Sequence, residues 1–179
     1  MSLLKTGIFT MAIPSGTTEN RIKLLIVDDD EKFLSTISER LGLKDFDVTP
    51  ASNGNKALAA AEKGDFDVAV VDLKMPGIDG MELLKRLKES HKFLEVIMLT
   101  GHSSINSAVE STKLGAFGYL EKPYNFDDLL QKIKEAYEAR LMKKFEHDRK
   151  RTEKIEKIAM GSSPLGILRS LKVLDDQEK

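Results

Sequence analysis

Short apolar runs alternate along the chain with longer stretches in which apolar residues recur every three or four positions. The runs are I-K-L-L-I-V (22–27), D-F-D-V-T-P-A (45–51), D-V-A-V-V-D (67–72), V-I-M-L-T (96–100) and G-Y-L (118–120). Several are rich in Val and Ile, which fit a pleated, buried surface, so they predict strands. Between them, Lys32 to Leu43 carries Phe33, Leu34, Ile37 and Leu41 at helical spacing. Asn55 to Lys63 is rich in Ala, which suits a helix lying close on a sheet. Gly80 to Glu89 carries Met81, Leu83, Leu84 and Leu87, and Ile105 to Leu114 carries Ile105, Ala108, Val109 and Leu114. A long helix begins at Asn125, and Gly64, Gly77, Gly101 and Gly115 mark the joins. Five strands alternating with five helices predict a parallel sheet covered by helices on both faces, with right-handed crossovers.

In such open sheets, ligands bind outside the carboxyl ends of the strands. The first predicted strand ends at Asp28-Asp29-Asp30, the third at Asp72 and the fourth at Thr100, while Lys122-Pro123 follows the fifth. Adjacent carboxylates repel, and taking them out of water is costly unless a cation lies between them. The plain reading of the acidic triplet is a solvated helix start. The other strand ends favour a shared site, in which carboxylates from strands one and three hold Mg²⁺, a hard cation that takes one or two carboxylates plus waters and phosphate oxygens. A carboxylate can act as a nucleophile toward a phosphoryl group, and that transfer needs little beyond alignment and cations. Asp72 is then the candidate nucleophile, Lys122 a second cation and the Thr100 hydroxyl a hydrogen-bond donor to a phosphoryl oxygen.

Composition narrows the alternatives. The chain has 179 residues, with 28 Lys+Arg against 29 Asp+Glu and a net charge of −1, so no global charge imbalance points to nucleic acid. There is no cysteine, which excludes disulfides, Cys-ligated metals and thiol nucleophiles. No apolar run approaches the ~18 residues of a membrane span. Residues 1–20 read as a flexible leader, and a cytoplasmic location is expected. The motif G-x-x-x-x-G-K-[ST] does not occur, so no P-loop ATPase is indicated.

At these residues the chain resembles the receiver domain of bacterial two-component response regulators (CheY-like). The matching pieces are L-L-I-V-D-D-D (24–30), V-V-D-L-K-M-P-G-I-D-G (70–80), V-I-M-L-T-G (96–101) and G-A-F-G-Y-L-E-K-P-Y (115–124). Their order and spacing are far more specific than any one of them, and the resemblance covers about residues 21–138. It implies a flavodoxin-like, doubly wound (βα)5 fold. It also implies that Asp72 accepts a phosphoryl group from a sensor histidine kinase or a phosphotransfer protein. Asp28, Asp29 and Asp72 would hold Mg²⁺, joined by the backbone carbonyl of Lys74, with Lys122 pairing with the phosphoryl group. Thr100 and Tyr119 would be the switch, Tyr119 moving inward as Thr100 turns toward the phosphoryl group. Lys74 and His102 stand at positions that tune phosphoryl lifetime, and the Lys122-Pro123 peptide is expected to be cis. Such a protein catalyses only its own phosphotransfer and dephosphorylation. Asp30 is expected to cap a helix, Met75 to pack or line the pocket, and His91 and His147 to lie on the surface.

The long helix runs past the end of a receiver. Phe126, Leu130, Ile133, Tyr137, Leu141, Phe145, Asp148, Thr152, Ile155 and Ala159 form a roughly periodic seam with two polar positions. Residues 140–157 hold eight Lys/Arg and four Asp/Glu. Residues 139–160 read first as a solvated helical extension. The second reading is a short coiled coil that, with the face built by the fourth helix, fifth strand and fifth helix, makes a homodimer. A basic face for nucleic acid is the third, and no recognition motif accompanies it. Residues 161–179 read as a short amphipathic tail or linker. A-M-G-S-S-P-L resembles the approach to the ATPase domain of some transcription-activating regulators, although the rest of such a domain is missing. Rival readings are a pseudo-receiver that never carries phosphate, a flavodoxin-like cofactor binder and a metal-dependent phosphatase. The acids at the strand ends weigh against the second, because an anionic cofactor wants backbone N–H groups there.

Overall fold

The computed structural model describes residues 21–44, 46–101 and 105–161, with 105–108 and 157–161 as backbone only. The elements alternate as β1 (Ile22–Val27), α1 (Glu31–Gly42), β2 (Phe46–Ala51), α2 (Gly54–Lys63), β3 (Val68–Asp72), α3 (Gly80–Ser90), β4 (Glu95–Thr100), α4 (Ile105–Lys113), β5 (Gly118–Glu121) and α5 (Phe126–Gly161). All five strands are parallel, in the order β2-β1-β3-β4-β5. Strand order reverses between β1 and β3, which makes the carboxyl ends of those two strands the switch point of the sheet.

Side chains alternate across each strand and so supply two cores. Leu25, Val27, Ala69, Val71, Val96 and Met98 face α2 and α3, where they meet Ala57, Ala61, Leu83, Leu84 and Leu87. Leu24, Ile26, Val68, Val70, Ile97 and Leu99 face α1 and α5, where they meet Leu34, Ile37, Leu41, Leu129, Ile133 and Ala136. Burial on both faces explains why β1, β3 and β4 read as continuous apolar runs rather than alternating ones. Met75 packs into the α2/α3 core, as expected.

Two expectations are corrected. The stripe of α5 that meets the sheet is Leu129-Ile133-Ala136, whereas Leu130 and Tyr137 lie at its edge. Leu129 and Leu130 are equally apolar, so periodicity alone could not choose between them. The second correction concerns the histidines. His91 is partly buried, its Nε2 3.0 Å from the Ala61 carbonyl, and His147 stacks edge-on against Phe93 with centroids 5.2 Å apart. Past residue 139, α5 is exposed at 141–146 and 148–154, while Arg140 and Lys143 pair with Asp67 and Glu95 and His147 meets Lys92 in the loop before β4. The tail 162–179, the leader 1–20 and His102 lie outside the described residues.

Candidate functional site

The end of β3 is shaped by the loop that follows it. Gly77 adopts φ +81°, the left-handed region that glycine enters without a Cβ clash. Gly80 opens α3 hard against the strand end: a Cβ there would lie 2.3 Å from the Asp72 carbonyl oxygen and 2.7 Å from Leu73 Cα. The Leu73 N–H donates to the Leu99 carbonyl (2.8 Å) and the Gly80 N–H to the Leu73 carbonyl (3.0 Å). Asp72 is therefore held as the last residue of a fully buried strand. On the neighbouring strand, Asp30 caps α1 by accepting from the Lys32 and Phe33 N–H groups, which leaves Asp28 and Asp29 at the mouth of the sheet.

Carboxylate oxygens of Asp28, Asp29 and Asp72 lie within 4.8 Å of one another. Asp28 is 2% exposed and Asp72 7%, while Asp29 is open to solvent. Lys122 reaches across from the end of β5, placing Nζ 2.6 Å from Asp28 Oδ2 and 3.0 Å from Asp72 Oδ1. The remaining oxygens accept backbone N–H groups, Asp28 Oδ1 from Asp30 (2.9 Å) and Asp72 Oδ2 from Lys74 (3.2 Å). Burial pushes the Asp72 carboxyl above its ordinary 3.8, and the nearby Asp28 adds to the rise, against Lys122 and the Lys74 N–H. Burial would lower Lys122, but its hydrogen bonds to Asp28 and Asp72 outweigh that and raise it above 10.5. One cation shared by two anions stabilises the ammonium fully and each carboxylate only in part.

Thr100 is buried at the end of β4, and its carbonyl accepts the Lys122 N–H at 2.7 Å. The Lys122-Pro123 peptide is cis, as expected. Tyr119 lies on β5 beside Met98 and is 49% exposed, so its ring stands outward. Two aromatic residues escaped the sequence reading. The Phe33 ring centroid is 5.2 Å from Lys122 Nζ, and Tyr124 meets Phe33 edge-on at 6.5 Å. Burial pushes the Tyr124 hydroxyl up to about 12. The sequence signal for Tyr124 was its place directly after Lys122-Pro123; Phe33 was indistinguishable from an ordinary face residue of α1.

Three carboxylates, two buried and one exposed, form a donor set that fits a hard divalent cation retaining some of its water. A pocket for an organic cofactor phosphate would need converging backbone N–H groups instead.

The model of the response regulator receiver domain matches residues 24–134. The chain belongs to that family. The receiver is 38% identical over 111 residues to the DNA-binding transcriptional regulator NtrC of Salmonella typhimurium, a match covering 62% of this chain and 24% of the relative. It is 35% identical over 127 residues to the C4-dicarboxylate transport transcriptional regulatory protein DctD of Pseudomonas aeruginosa, covering 71% of this chain and 28% of that protein. Among solved structures, a CheY-like receiver domain protein from Methanospirillum hungatei JF-1 superposes with a TM-score of 0.66 at 34% identity, covering 69% of this chain and 98% of that one. The match thus spans nearly all of an isolated receiver and about a quarter of these longer regulators. This is a signalling family, and the chain is a two-component response regulator receiver. No helix among the described residues is long and apolar enough to cross a membrane.

Proposed function

We propose that this receiver is a phosphorylation switch whose acceptor is Asp72. The observation that carries this reading is the Asp72 carboxylate itself, buried at the switch point of the sheet between Lys122 and the Lys74 N–H and within reach of Asp28 and Asp29. A carboxylate oxygen of Asp72 attacks the phosphorus of a phosphohistidine on a sensor kinase or phosphotransfer protein. The P–N bond of the donor breaks, an acyl-phosphate O–P bond forms, and the imidazole nitrogen retains the electron pair. Asp28, Asp29, Asp72 and the Lys74 carbonyl would hold Mg²⁺, which would supply positive charge to the transferring oxygens. Lys122, already at the Asp72 oxygen, follows the new charge and keeps the phosphoryl group oriented. Hydrolysis of the acyl phosphate by water resets the switch, at a rate that the residues at positions 74 and 102 tune.

The new dianion draws the Thr100 hydroxyl toward it, and the outward Tyr119 moves into the space released, which biases the face of α4, β5 and α5 toward a partner or a second copy. The description of NtrC as a DNA-binding regulator supports a transcriptional output, carried by a partner or by chain beyond the matched residues. The test is intact mass after incubation with acetyl phosphate. A gain of one phosphoryl group is expected in wild type with Mg²⁺, and none without Mg²⁺ or in Asp72→Asn. Mg²⁺ binding without any gain, from acetyl phosphate or from a phosphorylated kinase, would make the chain a pseudo-receiver.

A further inference from the structure

The stripe of α5 that faces the domain changes chemistry part-way along. Leu129, Ile133 and Ala136 pack on the sheet, and the same stripe continues, at spacings of four, three and four residues, as Arg140, Lys143 and His147. Each of these basic residues meets something at the amino-terminal edge of the sheet, the end opposite Asp72. Arg140 Nη2 lies 3.0 Å from Asp67 Oδ1, and the other oxygen of Asp67 accepts the Lys23 N–H at 2.8 Å. Lys143 Nζ lies 2.5 Å from Oε1 of Glu95, the first residue of β4, whose side chain is 0% exposed. His147 Nε2 is 2.8 Å from Lys92 Nζ, and its ring packs against Phe93.

Glu95 is the key to this end of the molecule. A carboxylate wholly removed from water needs cations and hydrogen bonds around it. Of the two lysines that reach it, Lys88 stands 3.9 Å from Oε2 and donates its own hydrogen bond to the Leu94 carbonyl at 2.8 Å. Burial pulls Lys88 below its ordinary value, with Glu95 opposing the shift and Lys143 adding to it. Lys143 makes the closer contact, and it comes from the helix extension.

We infer that Arg140, Lys143 and His147 form a latch tying the α5 extension to the base of the sheet, with the Lys143–Glu95 pair at its centre. The direction in which the helix leaves the receiver is then set by the receiver body and not by a second chain. Release of Lys143 leaves the Glu95 carboxylate with Lys88 alone, 3.9 Å away, so the extension and the loop between α3 and β4 loosen together. The inference is independent of phosphorylation. β4 nevertheless joins the two ends of the molecule, with Glu95 at its start and Thr100 at its finish.

Amide hydrogen exchange on the full chain tests the latch. In Arg140→Gln/Lys143→Gln, amides of residues 141–147 and of the loop 91–94 are expected to exchange about tenfold faster than in wild type, while those of β1 and β3 stay unchanged. Glu95→Gln, which keeps the side chain's size and leaves no buried carboxylate without Lys143, is expected to speed the same amides by a smaller factor and serves where the double variant unfolds. Unchanged exchange at 141–147 in Glu95→Gln, or wild-type protection there that rises with protein concentration, would overturn the latch. The second result would assign the protection to self-association.

Discussion

Lys122 is the residue on which the charge of the acidic cluster balances. Its ammonium is hydrogen-bonded to Asp28 and ion-paired with Asp72, and the face of Phe33 covers one side. The Asp72 carboxyl is nevertheless pushed up, because burial and Asp28 outweigh what Lys122 returns. The consequence for stability has a definite sign. A carboxyl whose folded value is raised contributes stability that is fully present below the ordinary 3.8 and is lost as pH rises through the raised value. In metal-free buffer at pH 7, Asp72→Asn should therefore melt a few degrees above wild type. The gap should close as pH falls below 3.8 and narrow at pH 7 when Mg²⁺ is added. Thermal unfolding across that pH range checks it, and a gap independent of pH would contradict the charge argument.

At the scale of elements, adjacent aspartates divide the work. Asp28 belongs to the buried end of the sheet, Asp29 faces solvent beside the cluster, and Asp30 belongs to α1, where its carboxylate accepts two N–H groups at 2.9 and 3.0 Å. Asp30→Ala should cost about 1 kcal/mol of stability, the usual value of an N-cap, with Mg²⁺ affinity unchanged. Urea unfolding and a Mg²⁺ titration measure the two quantities separately. A tenfold loss of Mg²⁺ affinity would make Asp30 part of the metal site. Asp79 performs the same capping role for α3 by accepting from the Glu82 N–H at 2.9 Å. Each of these caps thus opens the helix that follows a strand leading into the acidic cluster.

For the molecule as a whole, both ends of one sheet carry buried charge. The carboxyl end holds Asp28 and Asp72 with Lys122, and the amino end holds Glu95 with Lys88 and Lys143. A cation that binds only the folded cluster stabilises the whole domain, by about 2.7 kcal/mol when present at a hundred times its dissociation constant. Saturating Mg²⁺ should accordingly raise the unfolding temperature of wild type, and Asp29→Asn should lose most of that rise. Calorimetry with and without Mg²⁺ decides; an equal rise in the variant would remove Asp29 from the metal site. Exposed Leu141, Met142 and Phe145 lie on α5 beside the latch residues, so the direction of the extension also sets where that apolar surface points.

Local pattern carried a large share of this protein. Val- and Ile-rich runs bounded by glycines specify strands because only a doubly covered sheet buries such runs on both faces. The four strand ends then announced the acids, the hydroxyl and the lysine from the sequence alone. What the chain could not announce were pairings between distant segments. Lys122 and Asp28 are 94 residues apart, and Lys143 and Glu95 are 48 apart. Nothing in the spacing of either lysine marks its partner. The order β2-β1-β3-β4-β5 brings β1 and β3 together and aims β5 at their ends, which turns Lys122 from a surface lysine into the counter-ion of two buried acids. In the same way, periodicity established that α5 is one long helix but left its facing stripe undecided. The sheet chose Leu129, Ile133 and Ala136, and that choice carried Arg140, Lys143 and His147 to the buried acid and aromatic ring at its base. A helix repeats its faces by itself, but which face is buried depends on what lies across from it.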